Sequence, residues 1–122
     1  MLAKLAEDRH FTKRLDGGSY SHRVILPRRD ACRVKVTDFI GLRGDKFNNV
    51  SYACDETVYI IRGRVQIQFT GLITGGVGTW NLPAGTTYHV RAGESYSIRF
   101  IEETEAICFF SVAANGTLPD DE

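Results

Sequence analysis

The sequence has no surplus of charge of either sign: fifteen Lys and Arg balance fifteen Asp and Glu. A chain without a basic excess has no electrostatic footprint for nucleic acid or for an acidic membrane surface, so neither is expected as a partner. Long apolar runs are missing as well. The opening residues, Met1-Leu-Ala-Lys-Leu-Ala-Glu-Asp-Arg-His10, hold no apolar stretch of the length a secretion leader needs, and nothing later approaches the roughly twenty apolar residues of a membrane span. Cysteine is scarce: Cys32, Cys54 and Cys108 are odd in number and widely spaced, unlike a disulfide framework or a CxxC zinc pair. The expected compartment is the cytoplasm. There Asn115-Gly-Thr117 reads as a turn and not as a glycosylation site.

Helical periodicity is nearly absent too. What is present instead is a series of short runs rich in β-branched and aromatic residues. They run Tyr20 to Leu26, Arg33 to Ile40, Val50 to Ala53, Glu56 to Ile61, Val65 to Phe69, Gly78 to Leu82, Tyr88 to Val90, Tyr96 to Ile101 and Glu105 to Val112. Turn residues separate them: Pro27-Arg-Arg-Asp30, Arg62-Gly63, Thr74-Gly-Gly76, Pro83-Ala-Gly85 and Ala92-Gly93-Glu94. Arg62-Gly63, lying between two apolar runs, predicts a tight hairpin. With 122 residues the chain is sized for one core. Nine regularly spaced strands predict an all-β sandwich or jelly-roll barrel in one domain. Its core is expected over about 20–113, preceded by an N-terminal arm over 1–19 whose first dozen residues read either as a short amphipathic turn of helix, with Leu2, Leu5 and Ala6 on one side, or as an ordered arm, and followed by a frayed acidic tail over 114–122.

Two segments go beyond strand patterning. In Asp55-Glu-Thr-Val-Tyr-Ile-Ile-Arg-Gly63 a glutamate is followed, after six residues, by glycine. Gly78-Thr-Trp-Asn-Leu-Pro-Ala-Gly-Thr-Thr-Tyr-His89 places Pro-x-Gly after a strand, and fourteen residues separate Gly63 from Gly78. Glycine after a strand permits the φ > 0 that reverses the chain, and proline pre-sets its own φ. Architecture alone therefore accounts for both segments. They also resemble the two motifs of the cupin superfamily, which implies a cupin-type jelly-roll β-barrel (a double-stranded β-helix) with a substrate site in the barrel mouth. In metal-binding cupins the first motif carries His-x-His three or four residues before the glutamate, and the second a histidine three residues after its glycine. Here Asn49, Val50, Ser51 and Tyr52 stand in the first stretch, Tyr88 stands at the second position, and no histidine falls between His22 and His89. Only Glu56 occupies its family ligand position. Tyr52-Ala-Cys-Asp-Glu56 and Pro83-Ala-Gly-Thr-Thr87 are most similar to the ethanolamine-utilisation Q-type cupins, without the longer N-terminal region of those proteins.

Alternation puts Glu56, Val58 and Ile60 on one strand face and Thr57, Tyr59 and Ile61 on the other. If Glu56 faces inward, as its family position implies, it sits in largely apolar surroundings with Tyr52, Cys54 and Tyr88, joined by Asn49 or Ser51. A carboxyl group so placed has a raised pKa, the property of a general acid or base. Proton transfer by Glu56 with Tyr88 or Tyr52 is one reading, with Asn49 or Ser51 steadying an oxyanion; a structural glutamate bonded to neighbouring hydroxyls is the other. Alternation turns His89 away from Tyr88, toward solvent or an interface. A small bulge after Thr86-Thr87 would bring it inward as a base or metal ligand. His22 lies on an early strand that can face the mouth, and His10 in the arm. A divalent metal would need convergent ligands from Glu56, His89, His22, Cys54 and Asp55, a set with no supporting spacing. Cys32 and Cys108 read as small buried hydrophobes, and the carboxylate beside Cys54 disfavours a nucleophilic thiolate. Trp80, Phe69, Phe100, Phe109 and Phe110 read as core or dimer residues.

The expected activity is acid–base isomerisation, elimination or cyclisation of a small organic molecule, with no cofactor and no obligatory metal. Two alternatives stand beside it: a non-catalytic binding or assembly module, and a metal enzyme using Glu56 and His89. A homodimer through strand edges, aided by the N-terminal arm, is the expected assembly.

Overall fold

The structure is a computed structural model that describes residues 33–69, 78–112 and 118 in full and the backbone of 21–26. Nine strands run through these residues: β1 (Ser21–Leu26), β2 (Val34–Gly41), β3 (Lys46–Ser51), β4 (Asp55–Arg62), β5 (Arg64–Phe69), β6 (Gly78–Pro83), β7 (Thr87–Val90), β8 (Ser95–Phe100) and β9 (Thr104–Ser111). They form two antiparallel sheets, one ordered β1-β2-β9-β4-β7 and the other β3-β8-β5-β6. The alternating runs in the sequence are thus strands, and the two sheets bury their inner faces against each other in the manner of a jelly roll.

Two expectations shift. Arg62-Gly63 is not a hairpin turn, because β4 pairs with β7 and β9 while β5 pairs with β6 and β8. The dipeptide is a corner carrying the chain from one sheet to the other. Glycine is required there: φ is 94°, and a Cβ would run into the Glu103 carbonyl and Thr104. The third strand begins four residues before its expected start. Its polar opening, Lys46-Phe-Asn-Asn49, has weak strand propensity, yet pairing with β8 from Lys46 onward draws it into the ladder. Asn49 then takes a left-handed conformation, φ 56°, at a register shift between Phe47 and Val50.

The Pro83-Ala-Gly85 turn docks on the Gly63 corner. The Ala84 amide donates to the Gly63 carbonyl at 3.0 Å, Gly85 donates to the Ile60 carbonyl at 2.8 Å, and Ile60 donates to the Thr86 carbonyl at 3.0 Å. The two motifs are stitched together by backbone bonds at one end of the barrel. Phe39, Ile60, Val65, Phe100 and Ala106 fill this end and are all buried. Phe100 meets Phe39 and Phe47 edge-on, with centroids 6.0 and 6.1 Å away. Leu118, expected in a frayed tail, is buried against the same core cluster; removing such a side chain from water is worth about 1.5–3 kcal/mol.

Candidate active site

Glu56 begins the inner face of β4, four residues ahead of Ile60, so it lies at the other end of the interior from the two motif turns. Across the five-stranded sheet, Lys35, Phe110, Glu56 and Val90 share one register row, and Thr37, Cys108, Val58 and Tyr88 share the next. Residues directly opposite in adjacent strands put their side chains on the same face. Both rows therefore point into the barrel, which the burial of Lys35, Thr37, Glu56, Val58, Cys108 and Phe110 bears out. From the facing sheet, Tyr96 on β8 reaches across and its hydroxyl donates to Glu56 Oε1 at 2.6 Å. Tyr52 packs edge-on against Phe110 with ring centroids 5.0 Å apart, and Cys54 is buried two residues before Glu56.

Glu56 is only 4 % exposed. Burial pushes its carboxyl up to about 7, against the pull of hydrogen bonds from Tyr96 and Cys108 that favour the carboxylate. The same burial, with Glu56 alongside, raises the Tyr52, Tyr88 and Tyr96 phenols and the Cys108 thiol far above their ordinary range. Cys54 is pushed up to about 11 by burial first, then by Glu56 and Asp55, with Lys35 pulling the other way. At neutral pH these phenols and thiols stay protonated. Glu56 is the member that exchanges protons there.

The expected cluster assembles in part. Glu56, Tyr52, Cys54, Val58 and Tyr88 come together. Asn49 and Ser51 do not: Val50 pairs with the inward Tyr96, so Ser51 turns outward and both polar residues are exposed. Neither is placed to steady an oxyanion inside. His89 is also outside. No bulge forms after Thr86-Thr87; β7 pairs in regular register, with Tyr88 opposite Val58 and His89 opposite Thr57. On that outer face His89 Nδ1 lies 2.7 Å from the Thr57 hydroxyl, and its Nε2 lies 3.3 Å from Asp55 Oδ2. The same register removes His89 from the expected catalytic set and separates it from Glu56 as a metal partner. Asp55 goes with it, also accepting from the Ala92 amide at 2.9 Å. Among the described residues no group of three or more His, Cys, Asp or Glu side chains is placed to hold a metal ion. His22 stands in register with Phe39 on β1; its side chain, with His10 and Cys32, lies outside the described residues.

Sequence reasoning missed Lys35, Thr37 and Tyr96 and undervalued Cys108. Tyr96-x-Ile98-x-Phe100 carries a legible alternation that would have faced Tyr96 inward. Lys35 and Thr37 were hidden because apolar Val34 and Val36 occupy the opposite phase of the same strand, leaving the inner face of β2 ambiguous.

No family model and no curated protein matches this sequence. Solved structures do match its fold. Ectoine synthase from P. lautus superposes with a TM-score of 0.74 at 22% identity, over 91% of this chain and 78% of that one. An RmlC-like cupin from Shewanella frigidimarina gives 0.71 at 13% identity, over 93% and 92%. A variant of oxalate decarboxylase from Bacillus subtilis gives 0.73 at 18% identity, over 87% of this chain but 28% of that longer one. The fold is the cupin jelly roll. The narrower likeness to Q-type cupins rests on the Tyr52–Glu56 and Pro83–Thr87 sequence patterns alone.

Proposed function

We propose that this chain is a small enzyme that isomerises, eliminates or cyclises a small organic molecule by acid–base chemistry at the polar end of its barrel, without an obligatory metal. One observation carries the reading: Glu56 is buried, bonded to a phenol from the opposite sheet, and titrates near neutrality. A carboxyl at about 7 takes a proton in one step and returns it in the next with little loss of driving force either way. Tyr96 holds it in place and stabilises its carboxylate form. Tyr88 and Tyr52 remain protonated and are available as hydrogen-bond donors to charge that develops on a substrate oxygen. Ectoine synthase and oxalate decarboxylase show that enzymes use this fold; which bond this chain rearranges is decided by its own residues.

Cytoplasmic placement belongs to the same reading and accords with the free thiols of Cys54 and Cys108. So does a homodimer, for which the exposed Tyr59, Ile61 and Phe109 on the outer sheet face supply an apolar surface.

The test is proton exchange into a panel of small carbonyl compounds in D2O, followed by NMR, with Glu56→Gln as control. Wild type is expected to exchange at least one of them, and the variant to be slower by about 10²–10⁴-fold with its fold intact. Turnover undiminished in Glu56→Gln would remove the acid–base assignment. Binding without any turnover would leave a binding module.

A further inference from the structure

Trp80 is the one tryptophan of the chain and is 47 % exposed. It lies on β6, the edge strand of its sheet, in the same register row as the buried Ile67 and Ile98. The side chain therefore belongs to the inner face of the sheet, while its ring reaches solvent past the edge. Gly78 leaves room for it: a Cβ there would come within 2.9 Å of the indole. The indole meets Phe69 edge-on with ring centroids 5.5 Å apart. Phe69 stands directly opposite Tyr96, with 6.2 Å between their centroids. The three rings form a row from the surface into the barrel. It ends at the bond from the Tyr96 hydroxyl to Glu56 Oε1, whose length of 2.6 Å suits a phenol donating to a carboxylate.

Packing alone accounts for the contact between Phe69 and Tyr96. It does not account for an open indole at one end of the row and a proton acceptor on the phenol at the other. Indole and phenol are among the side chains that most readily lose a single electron, and rings in contact let that electron pass between them. Electron loss alone would leave Tyr96 a cation in buried, apolar surroundings, which is costly. Electron loss with transfer of the hydroxyl proton to Glu56 leaves a neutral phenoxyl radical and a neutral carboxylic acid. Burial, which penalises the carboxylate, favours that outcome.

We propose that Trp80, Phe69 and Tyr96 form an electron path along which a diffusible one-electron oxidant of the radical class, acting on the surface indole, oxidises the buried Tyr96. The oxidant takes one electron from Trp80, whose ring N–H proton goes to water, and a neutral indolyl radical remains. Tyr96 then gives one electron across Phe69 to that radical, which regains a proton from water. The Tyr96 hydroxyl proton passes to the Glu56 carboxylate. Trp80 is restored, and the products are a Tyr96 phenoxyl radical and a protonated Glu56. Phe69 is a bridge and is neither oxidised nor reduced. The path goes beyond the acid–base reading: it uses Glu56 as a proton acceptor and needs no molecule inside the barrel.

Pulse radiolysis of the full chain, with the azide radical as oxidant, tests it, because indolyl and phenoxyl radicals absorb at separate wavelengths. In wild type the indolyl signal is expected to decay as a phenoxyl signal rises, at a first-order rate independent of protein concentration. Tyr96→Phe, which keeps the ring and removes the hydroxyl, should slow that conversion at least tenfold. Glu56→Gln, whose amide oxygen still accepts the hydrogen bond but does not take the proton, should slow it as much. Phe69→Leu, which keeps the site apolar and breaks the row of rings, should slow it as well. Carbonyl exchange is followed separately, so its absence in wild type would remove the acid–base reading and leave these kinetics as they are. No coupled phenoxyl rise in wild type, a rate that scales with protein concentration, or an undiminished rate in any of the three variants would overturn the proposal.

Discussion

The two ends of the barrel interior are built from the same strands and the same alternation, yet they spend burial differently. At the motif-turn end, Phe39, Ile60, Val65, Phe100 and Ala106 close on one another, and the one buried hydroxyl, Thr104, accepts from the Arg64 amide at 3.2 Å and donates to the Glu102 carbonyl at 2.9 Å. Among the described residues no buried side-chain polar atom at that end lacks a hydrogen-bond partner. At the opposite end the strands bury Lys35, Thr37, Glu56 and Tyr96, with Thr37 unmatched and Glu56 held far from its ordinary ionisation. Apolar burial stabilises the first end, while in the second it raises the energy of charged forms. A fold that needed only a scaffold would gain from filling both ends alike. The unequal filling is what the proposed acid–base reading requires, stability given up at the polar end.

The contrast can be broken most forcefully at the apolar end. Phe100→Ala removes a ring that meets both Phe39 and Phe47 and that leaves no room for a Cβ on Gly41. The expected loss is about 3–5 kcal/mol, on the order of 10–20 °C in melting temperature. A loss below about 1 kcal/mol in denaturant titration would mean that this end is not packed as described.

At the polar end the effect reverses sign and depends on pH. The folded-state value of Glu56, about 7, lies above its ordinary 4.5. Its contribution to stability is therefore fully present below about pH 4.5 and is lost as pH rises through 7. Wild type should weaken over that window by on the order of 3 kcal/mol. Glu56→Gln, whose side-chain oxygen still accepts from Tyr96, should be flat there and the more stable protein at pH 8. Parallel pH profiles for the two proteins would show that the carboxyl is ordinary and would remove the main support for the acid–base reading.

The smallest change is expected on the outer sheet face. His89→Ala deletes an exposed contact with Thr57 and Asp55, worth at most about 0.5 kcal/mol. It should leave carbonyl exchange unaltered. A tenfold fall in that rate would place His89 in the chemistry after all.

Because side-chain alternation and turn chemistry are local, reading the sequence recovered eight of the nine strands to within about a residue at each end; it misplaced the third, Lys46–Ser51. Glu56, Tyr52, Cys54, Val58 and Tyr88 were legible for the same reason: each lies next to a turn signal or in a clean alternating run. Asn49, Ser51 and His89 were misplaced by single steps of register. A bulge at Asn49 turned Ser51 out, and the absence of a bulge before His89 kept it out. One residue of slip exchanges the faces of a strand, and no local pattern fixes it.

The sequence by itself determined an all-β chain, the turns that need glycine at Gly63 and Gly85, both at positive φ, and a glutamate on an apolar strand face. Tertiary structure alone decided the rest. It made Arg62-Gly63 a corner between sheets, because strand partners are chosen by packing of distant segments and not by the turn between them. It also brought Lys35, Thr37, Glu56, Tyr96 and Cys108 from four strands into one enclosure. The pKa of Glu56 depends on how completely that enclosure excludes water, a property of the closed barrel that no residue carries alone.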